Sequence, residues 1–334
     1  MSQSFCKITL KPLSSEPEQK LGYTREGLKA LFDTSAVNPV MAMTRADFMQ
    51  GFKASQNRMS ISGVQPKRSA VLNGNALAMT DTGGQYIIKP SPEEYPNLAE
   101  VEHACMAMTQ ALSRGGRLTV AKHGLFELSD GELVYVTRRF DRLADGTKLQ
   151  QEQLDAAMGV VDKYDENVSY ERIGRFIQKN VSVPLPALMA FYEQVIISFM
   201  LGNDDLHIRN LGIQVDLSTG KATGLTPAYD IVASSLYTNG ASYIALPLTI
   251  EDEIDQQGTT PGMAEYGYYT GKDFIDLGTG VGLSGTVAAR TLKRIVDNVP
   301  SAKILLERSF MPEEKKQALC EILDERVVML SKGV

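Results

Sequence analysis

The chain has 334 residues, 43% hydrophobic and 22% charged, with a net charge of −6, enough length for two lobes and too acidic a balance for a chain that binds nucleic acid on its own. No apolar run reaches the ~18 residues of a membrane span; Val195 to Leu201 is the longest candidate, interrupted by Ser198, and no basic-then-apolar leader opens the sequence. Cys6, Cys105 and Cys320 are scattered with no C-x-x-C, which predicts neither a disulfide framework nor a zinc site and fits a reducing cytoplasm.

Residues 1–57 read as a leading strand, Phe5 to Leu10, followed by two short helices. Thr24 is placed to cap a helix carrying Leu28, Leu31 and Phe32, and Thr44-Arg45-Ala46-Asp47 resembles a capping box with Asp in the reciprocal position. Between residues 58 and 142 the turn signals are stronger. Asn73-Gly74 separates Ser69–Leu72 from Ala76–Thr80, Asp81–Gly84 makes the next turn, and Tyr86–Lys89 is a third strand. Pro90, Pro92 and Pro96 forbid regular structure after it. Asn97 opens a helix with Val101, Ala104, Cys105, Met108, Ala111 and Leu112 on one face, ended by Gly115-Gly116. A second hairpin turns at Ser129-Asp130-Gly131, giving three strands, a helix and two strands.

From residue 143 the pattern is mainly helical. One helix is expected near Gln151–Val160, then a polar loop over Asp162–Asn167, and another helix after Ser169. Leu188, Phe191, Tyr192, Val195, Ile196, Phe199 and Met200 keep helical spacing until Gly202. Leu211–Val215 and Leu225–Ala228 bracket a turn at Asp216–Gly220, a hairpin that should return Asp230 beside Asn210. Residues 251–284 are rich in Gly and Thr and read as irregular; two helices, Ser284–Val299 and one from Pro312 to about Leu330, close the chain.

The chemistry concentrates in residues 201–212, Leu-Gly-Asn-Asp-Asp-Leu-His-Ile-Arg-Asn-Leu-Gly. In the catalytic loop of protein kinases an Asp accepts the acceptor's proton and an Asn five positions later holds magnesium. Asp205 and Asn210 have that spacing, Asp204 does not, and Asp230 on the following hairpin is placed as the second metal carboxylate. Lys89 on the third strand and Glu102 on the helix match the pair that positions nucleotide phosphates. Each residue has a plain alternative: a turn-forming polar loop, a strand-end lysine, a surface glutamate. His207 is a candidate for the cofactor site, as a base or metal ligand, against a hydrogen-bonded structural histidine; His103 and His123 carry no pattern. Ser60-Ile61-Ser62-Gly63-Val64-Gln65-Pro66-Lys67 stands where a kinase has its glycine-rich loop, with a single glycine; its backbone N–H groups, Gln65 and Lys67 are candidate phosphate contacts.

Residues 60–67, Tyr86–Pro92, Ala99–Ala104, Arg138–Arg142, Gly202–Gly212 and Pro227–Ile231 together resemble the HipA-type serine/threonine kinases, toxins of bacterial toxin–antitoxin systems. The likeness runs from about residue 5 to the C-terminus. The chain looks shorter at its N-terminus than a full HipA, and with its paired serines is most similar to HipT of tripartite systems. There a small HipS protein resembles the missing piece, and HipB binds DNA. The resemblance implies an α+β, two-lobed kinase-like fold, with residues 1–140 as the β-rich N-lobe and 141–334 as the helical C-lobe. It implies ATP and Mg2+ as cofactors, Asp205 as catalytic residue, Asn210 and Asp230 as metal ligands, and Lys89 and Glu102 at the nucleotide. Gly63, Val64, Gln65 and Lys67 then belong to the phosphate loop, and Val136, Arg138 and Phe140 to the stretch that touches adenine. Ser60 and Ser62 match serines that such kinases phosphorylate on themselves; a doubly charged group there would repel nucleotide phosphates. The expected substrate is an aminoacyl-tRNA synthetase, tryptophanyl before glutamyl, with HipS-like and HipB-like antitoxins as partners. Asp230 is followed by Ile-Val rather than Phe-Gly, so the usual kinase in/out switch is not implied. The rivals are a small-molecule kinase, which shares the Asp…Asn…Asp geometry, and a catalytically silent kinase-fold scaffold in a repressor complex.

Overall fold

The structure is a computed structural model that describes residues 4–50, 65–143, 147–238 and 242–333. The chain divides into two units. The first comprises Met1–Ala107, Ala121–Lys148 and Ile304–Glu313; the second comprises Met108–Val120, Leu149–Lys303 and Glu314–Val334.

The first unit is built on a six-stranded sheet: β1 (Val40–Met41), β2 (Arg68–Asn73), β3 (Ala76–Met79), β4 (Tyr86–Pro90), β5 (His123–Leu128) and β6 (Leu133–Arg138). The strand order is β1-β5-β6-β4-β2-β3, and all pairs but β1–β5 are antiparallel. The helix Leu98–Leu112 interrupts the strands in sequence, giving the expected three strands, helix, two strands. The β2–β3 loop is Gly74-Asn75, one residue later than the expected Asn73-Gly74. Only Gly74 has positive φ (61°), the pattern of a type II′ turn, which needs glycine at its first central position. Phe5 to Leu10 is not a strand. It runs through turns: Leu10 N donates to Cys6 O and Cys6 N to Lys11 O, at 2.9 Å each, Leu10 takes φ 56°, and Phe5 bridges Pro12, while Cys6, Ile8 and Leu10 stay buried. The predicted helix over Arg25–Phe32 forms, with Thr24 Oγ1 accepting from Gly27 N at 3.0 Å. Leu28, Leu31 and Phe32 join Tyr86, Ile88, Phe126 and Val136 in one apolar core. Full burial of such a side chain stabilises by about 1.5–3 kcal/mol, so this shared core holds the sheet more than strand propensity does.

The second unit carries a three-stranded antiparallel sheet, β7 (Gln150–Gln153), β8 (Gly212–Val215) and β9 (Ala222–Leu225), in that order. The helix expected over Gln151–Val160 shrinks to Leu154–Met158, because residues 150–153 pair with β8 instead. The helix Pro184–Met200 is buried on nearly every side and packs against the helices Tyr170–Asn180 and Gly285–Asp297. The first of these is capped by Ser169 Oγ, as predicted. Residues 251–284 are not irregular: they hold the helices Pro261–Tyr266 and Gly271–Gly280. A Thr270/Asp273 capping box starts the second, offsetting its low-propensity glycines. Three helices close the chain, not two. Val299–Arg308 lies between Gly285–Asp297 and Glu313–Leu330, with Pro300 in its first turn, where no intrahelical N–H is needed. Among the described residues no helix is long and apolar enough to cross a membrane.

Gly202 turns the chain out of the helix Pro184–Met200 with φ 64°, and a Cβ there would stand 2.3 Å from Ser235 Oγ and 3.2 Å from Ile322 Cγ2. Gly202→Ala is therefore expected to lose about 1–2 kcal/mol, the usual left-handed penalty. Urea unfolding reads this directly; an unchanged midpoint would refute the requirement.

Candidate active site

Asp205 and Asn210 belong to one tightly bonded loop. Asn203, 1% exposed, accepts Asp205 N through Oδ1 at 3.1 Å. His207 N and the Asn210 side-chain Nδ2 both donate to Asp205 O, at 2.8 and 2.9 Å. The 3-10 turn Ile208–Asn210 supplies the reversal. A five-residue spacing is thus closed by the asparagine's own side chain. Tyrosines fix the backbone from outside: Tyr170 OH donates to Leu206 O (2.8 Å) and Tyr229 OH to Arg209 O (2.9 Å). Asp204, excluded by spacing, has a different task. Its carboxylate accepts from Ser234 Oγ and from Thr238 Oγ1, tying down the segment after Asp230.

The Asp205 side chain is 12% exposed. Its Oδ1 accepts a hydrogen bond from Tyr164 OH and lies 3.9 Å from His207 Nε2. Burial pushes its pKa up to about 6, the Tyr164 bond and Lys163 charge pull against that, and Asp230 and Asp204 add to it. His207 is nearly buried and desolvation lowers it to about 4, so its imidazole is neutral at physiological pH. Tyr164 is pushed well above its ordinary value by burial and by the bond to Asp205. Its ring meets the His207 ring edge-on, with centroids 5.2 Å apart. Asp230 takes φ 57°, a left-handed conformation that non-glycine residues adopt mostly under local constraint. Its charge is felt at Asp205, Lys163 and His207.

The approach to Asp230 is anchored by a buried carboxylate. Glu193, wholly buried, accepts from Arg117 N and Leu118 N at 2.9 Å each and from Arg294 Nη2 at 2.7 Å. The clamped segment continues to Thr119, whose carbonyl accepts Ala228 N at 2.8 Å, two residues before Asp230. A Cβ on Gly116 would lie 2.4 Å from the Glu193 oxygens, so the clamp needs glycine there.

In the first unit Lys89 and Glu102 meet: Nζ to Oε1 is 2.7 Å, with side chains 10% and 0% exposed. Tyr135, the cross-strand partner of Lys89, presents its ring 5.5 Å from the ammonium. Gln65 is buried and Lys67 exposed; Ser60, Ser62, Gly63 and Val64 lie outside the described residues. Val136 is buried in the core of the sheet, Arg138 pairs with Asp33 at the end of β6, and Phe140 is half-buried just beyond. His103 and His123 stack edge-on in the interior, and burial holds them neutral, at about 3 and about 4. Tyr164, Lys163, Asn203 and Glu193 were missed by sequence reasoning. Residues 162–167 read as a polar loop, and only Asp205 in three dimensions reveals what it carries.

Among the described residues no cluster of three or more His, Cys, Asp or Glu side chains is placed to hold a metal ion. An Asn–Asp pair completed by phosphate oxygens is a different donor set, all hard oxygen, and suits Mg2+. Burial is the main cause of the raised Asp205 pKa; repulsion from Asp230 adds to it, and a cation beside the two carboxylates would relieve that part.

The fold and the loop define a protein of kinase type. A model of the HipA-like C-terminal domain matches residues 59–303. The chain belongs to the HipA-like kinase family. It is 33% identical to a putative kinase of Haemophilus influenzae over 342 residues, covering 98% of each chain. It is 26% identical to the serine/threonine-protein kinase toxin HipA of Shewanella oneidensis, covering 79% of this chain and 64% of the toxin. Among solved structures it resembles Shewanella oneidensis HipA in complex with HipB and operator DNA, with TM-score 0.65 and 19% identity over 86% of this chain and 70% of that one. It also resembles the Helicobacter pylori proinflammatory kinase CtkA, with TM-score 0.52 and 14% identity over 87% and 93%. The α+β, HipA-type kinase-like fold expected from the sequence is the fold of this chain.

The Asp205 environment sets a pH-dependent stability. Its native pKa of about 6 exceeds the ordinary 3.8, so the native state keeps the proton longer and this group's contribution falls as pH rises from about 4 to about 6. Asp205→Asn removes that loss. In metal-free buffer the variant is expected to be more stable than wild type at pH 7.5, on the order of 2–3 kcal/mol, with no gain below pH 4. Urea unfolding at both pH values measures it; a variant less stable at pH 7.5 would contradict this account.

Proposed function

We propose that the chain is an ATP- and magnesium-dependent serine/threonine kinase that acts as a toxin. In this reading it arrests growth by phosphorylating an aminoacyl-tRNA synthetase, tryptophanyl first and glutamyl second. The observation that carries the reading is the Asp205 carboxylate, held out of water with a hydroxyl already donating to it. That is the geometry an acceptor hydroxyl needs, and the raised pKa suits a group that must take a proton. Asn210 donates its amide N–H to the Asp205 carbonyl; its Oδ1 and the Asp230 carboxylate would hold the metal ion. A bound magnesium ion would neutralise charge on the triphosphate. Lys89, oriented by Glu102, would reach the nucleotide phosphates, with Gln65 and Lys67 near them and Val136 to Phe140 at the adenine. His207, neutral and in contact range of Asp205, would orient the loop or touch phosphate without carrying charge. Domain boundaries near residues 1–140 and 141–334, self-phosphorylation at Ser60 or Ser62, a cytoplasmic setting and HipS-like and HipB-like partners belong to the same proposal. So does the nearer likeness to HipT. Family membership supports it, as does the Shewanella HipA that was solved with HipB and DNA.

Transfer of label from γ-labelled ATP tests the reading. Wild type is expected to label itself and a purified tryptophanyl- or glutamyl-tRNA synthetase, and Asp205→Asn to lose about 100- to 10,000-fold in rate, the usual worth of a general base. Equal labelling by both proteins would remove Asp205 from its role; labelling of sugars or aminoglycosides alone would replace the protein acceptor.

A further inference from the structure

The loop between the helices Leu154–Met158 and Tyr170–Asn180 brings a second charge to the site. The Lys163 Nζ is buried and has no hydrogen-bond partner. It lies 4.4 Å from the centroid of the Tyr164 ring, whose hydroxyl is bonded to Asp205 Oδ1. Asp205, Asp230 and Asp162 attract it and Arg209 repels it. Elsewhere in the chain ammonium groups take carboxylate partners directly, as Lys7 does with Glu127 and Lys303 with Asp324. An ammonium withdrawn from water without hydrogen bonds is expensive. The two functional carboxylates near Lys163 do not satisfy it: Asp205 is engaged by Tyr164, and no bond to Asp230 relieves the ammonium. The chain holds the loop in place all the same, through Arg209, which bonds Asp155 Oδ2 at 2.7 Å and Val161 O at 2.9 Å. Three unused N–H donors in a carboxylate-lined site call for an anion that arrives with the ligand.

We propose that Lys163 is a catalytic residue that binds the phosphoryl group in transit. This rests on the kinase reading above. The acceptor oxygen forms its bond to phosphorus as the bond from phosphorus to the β,γ-bridging oxygen breaks. The acceptor's proton passes to Asp205, and the electron pair of the broken bond leaves on ADP. Lys163 donates hydrogen bonds to the non-bridging oxygens throughout and loses no proton. Its charge grows in value as the phosphoryl group moves toward the acceptor, so it acts on the transition state more than on bound ATP.

Binding of ADP alone and of ADP with aluminium fluoride, a mimic of the phosphoryl group in transit, distinguishes the role. Both are measured by calorimetry with magnesium present. Lys163→Met is expected to keep ADP affinity within about twofold, weaken the aluminium fluoride complex about 100-fold and lower kcat to match, the scale of losing one transition-state donor. Lys163→Arg should recover part of both. Removal of an unpaired buried charge should leave Lys163→Met at least as heat-stable as wild type, so misfolding would be visible as a lowered Tm and would itself contradict the proposal. Wild-type affinity for the mimic in Lys163→Met, or a parallel loss of ADP, overturns the role of Lys163 and leaves the kinase reading standing. A wild type that binds neither ligand overturns both.

Discussion

A carboxylate taken out of water is the constraint on which the candidate site depends. Asp205 is ionised only at the expense of its hydration, and the chain around it arranges partial compensation. The Tyr164 hydroxyl donates to one oxygen and the Lys163 ammonium lies beyond that ring, while Asp230 works in the opposite direction. The result is a carboxylate whose pKa is lifted to about 6 rather than a fully stabilised anion. A structural carboxylate would be given every donor it could accept.

Glu193 and Asp204 show that contrast within the same unit. Glu193 collects two backbone N–H groups and an arginine, and Asp204 two hydroxyls. Both act as staples: Glu193 on residues 117–118, next to the Thr119 carbonyl that accepts Ala228 N, and Asp204 on the segment leaving Asp230. The left-handed φ of Asp230 persists between these two anchors. Rigidity at both ends of the segment holds the Asp230 backbone in one conformation.

Much of this could be read from residue order. The spacing of Asp205 and Asn210 corresponds to a bond across one turn, and Lys89 and Glu102 meet because a strand and the next helix bring them together. The three-strand, helix, two-strand order followed from turn residues and helical spacing. Errors fell where local signals were weak or overruled. Phe5–Leu10 alternates like a strand, but hydrogen bonds from Leu10 N to Cys6 O and from Cys6 N to Lys11 O fold it into a turn, and glycines hid the helix Gly271–Gly280 that a capping box starts. Lys163-Tyr164 looked like an ordinary polar loop because nothing in its neighbours along the chain says what it faces.

The sequence by itself determined the kinase-like order of elements and the spacing of the loop residues, since those depend on interactions within a few positions. Only the tertiary structure decided which polar groups lose water. Burial of Asp205, the turn of Tyr164 toward it and the unpaired ammonium of Lys163 arise when segments some forty residues apart in the chain are packed together. Desolvation depends on everything that surrounds a group in space, and chain order does not record it.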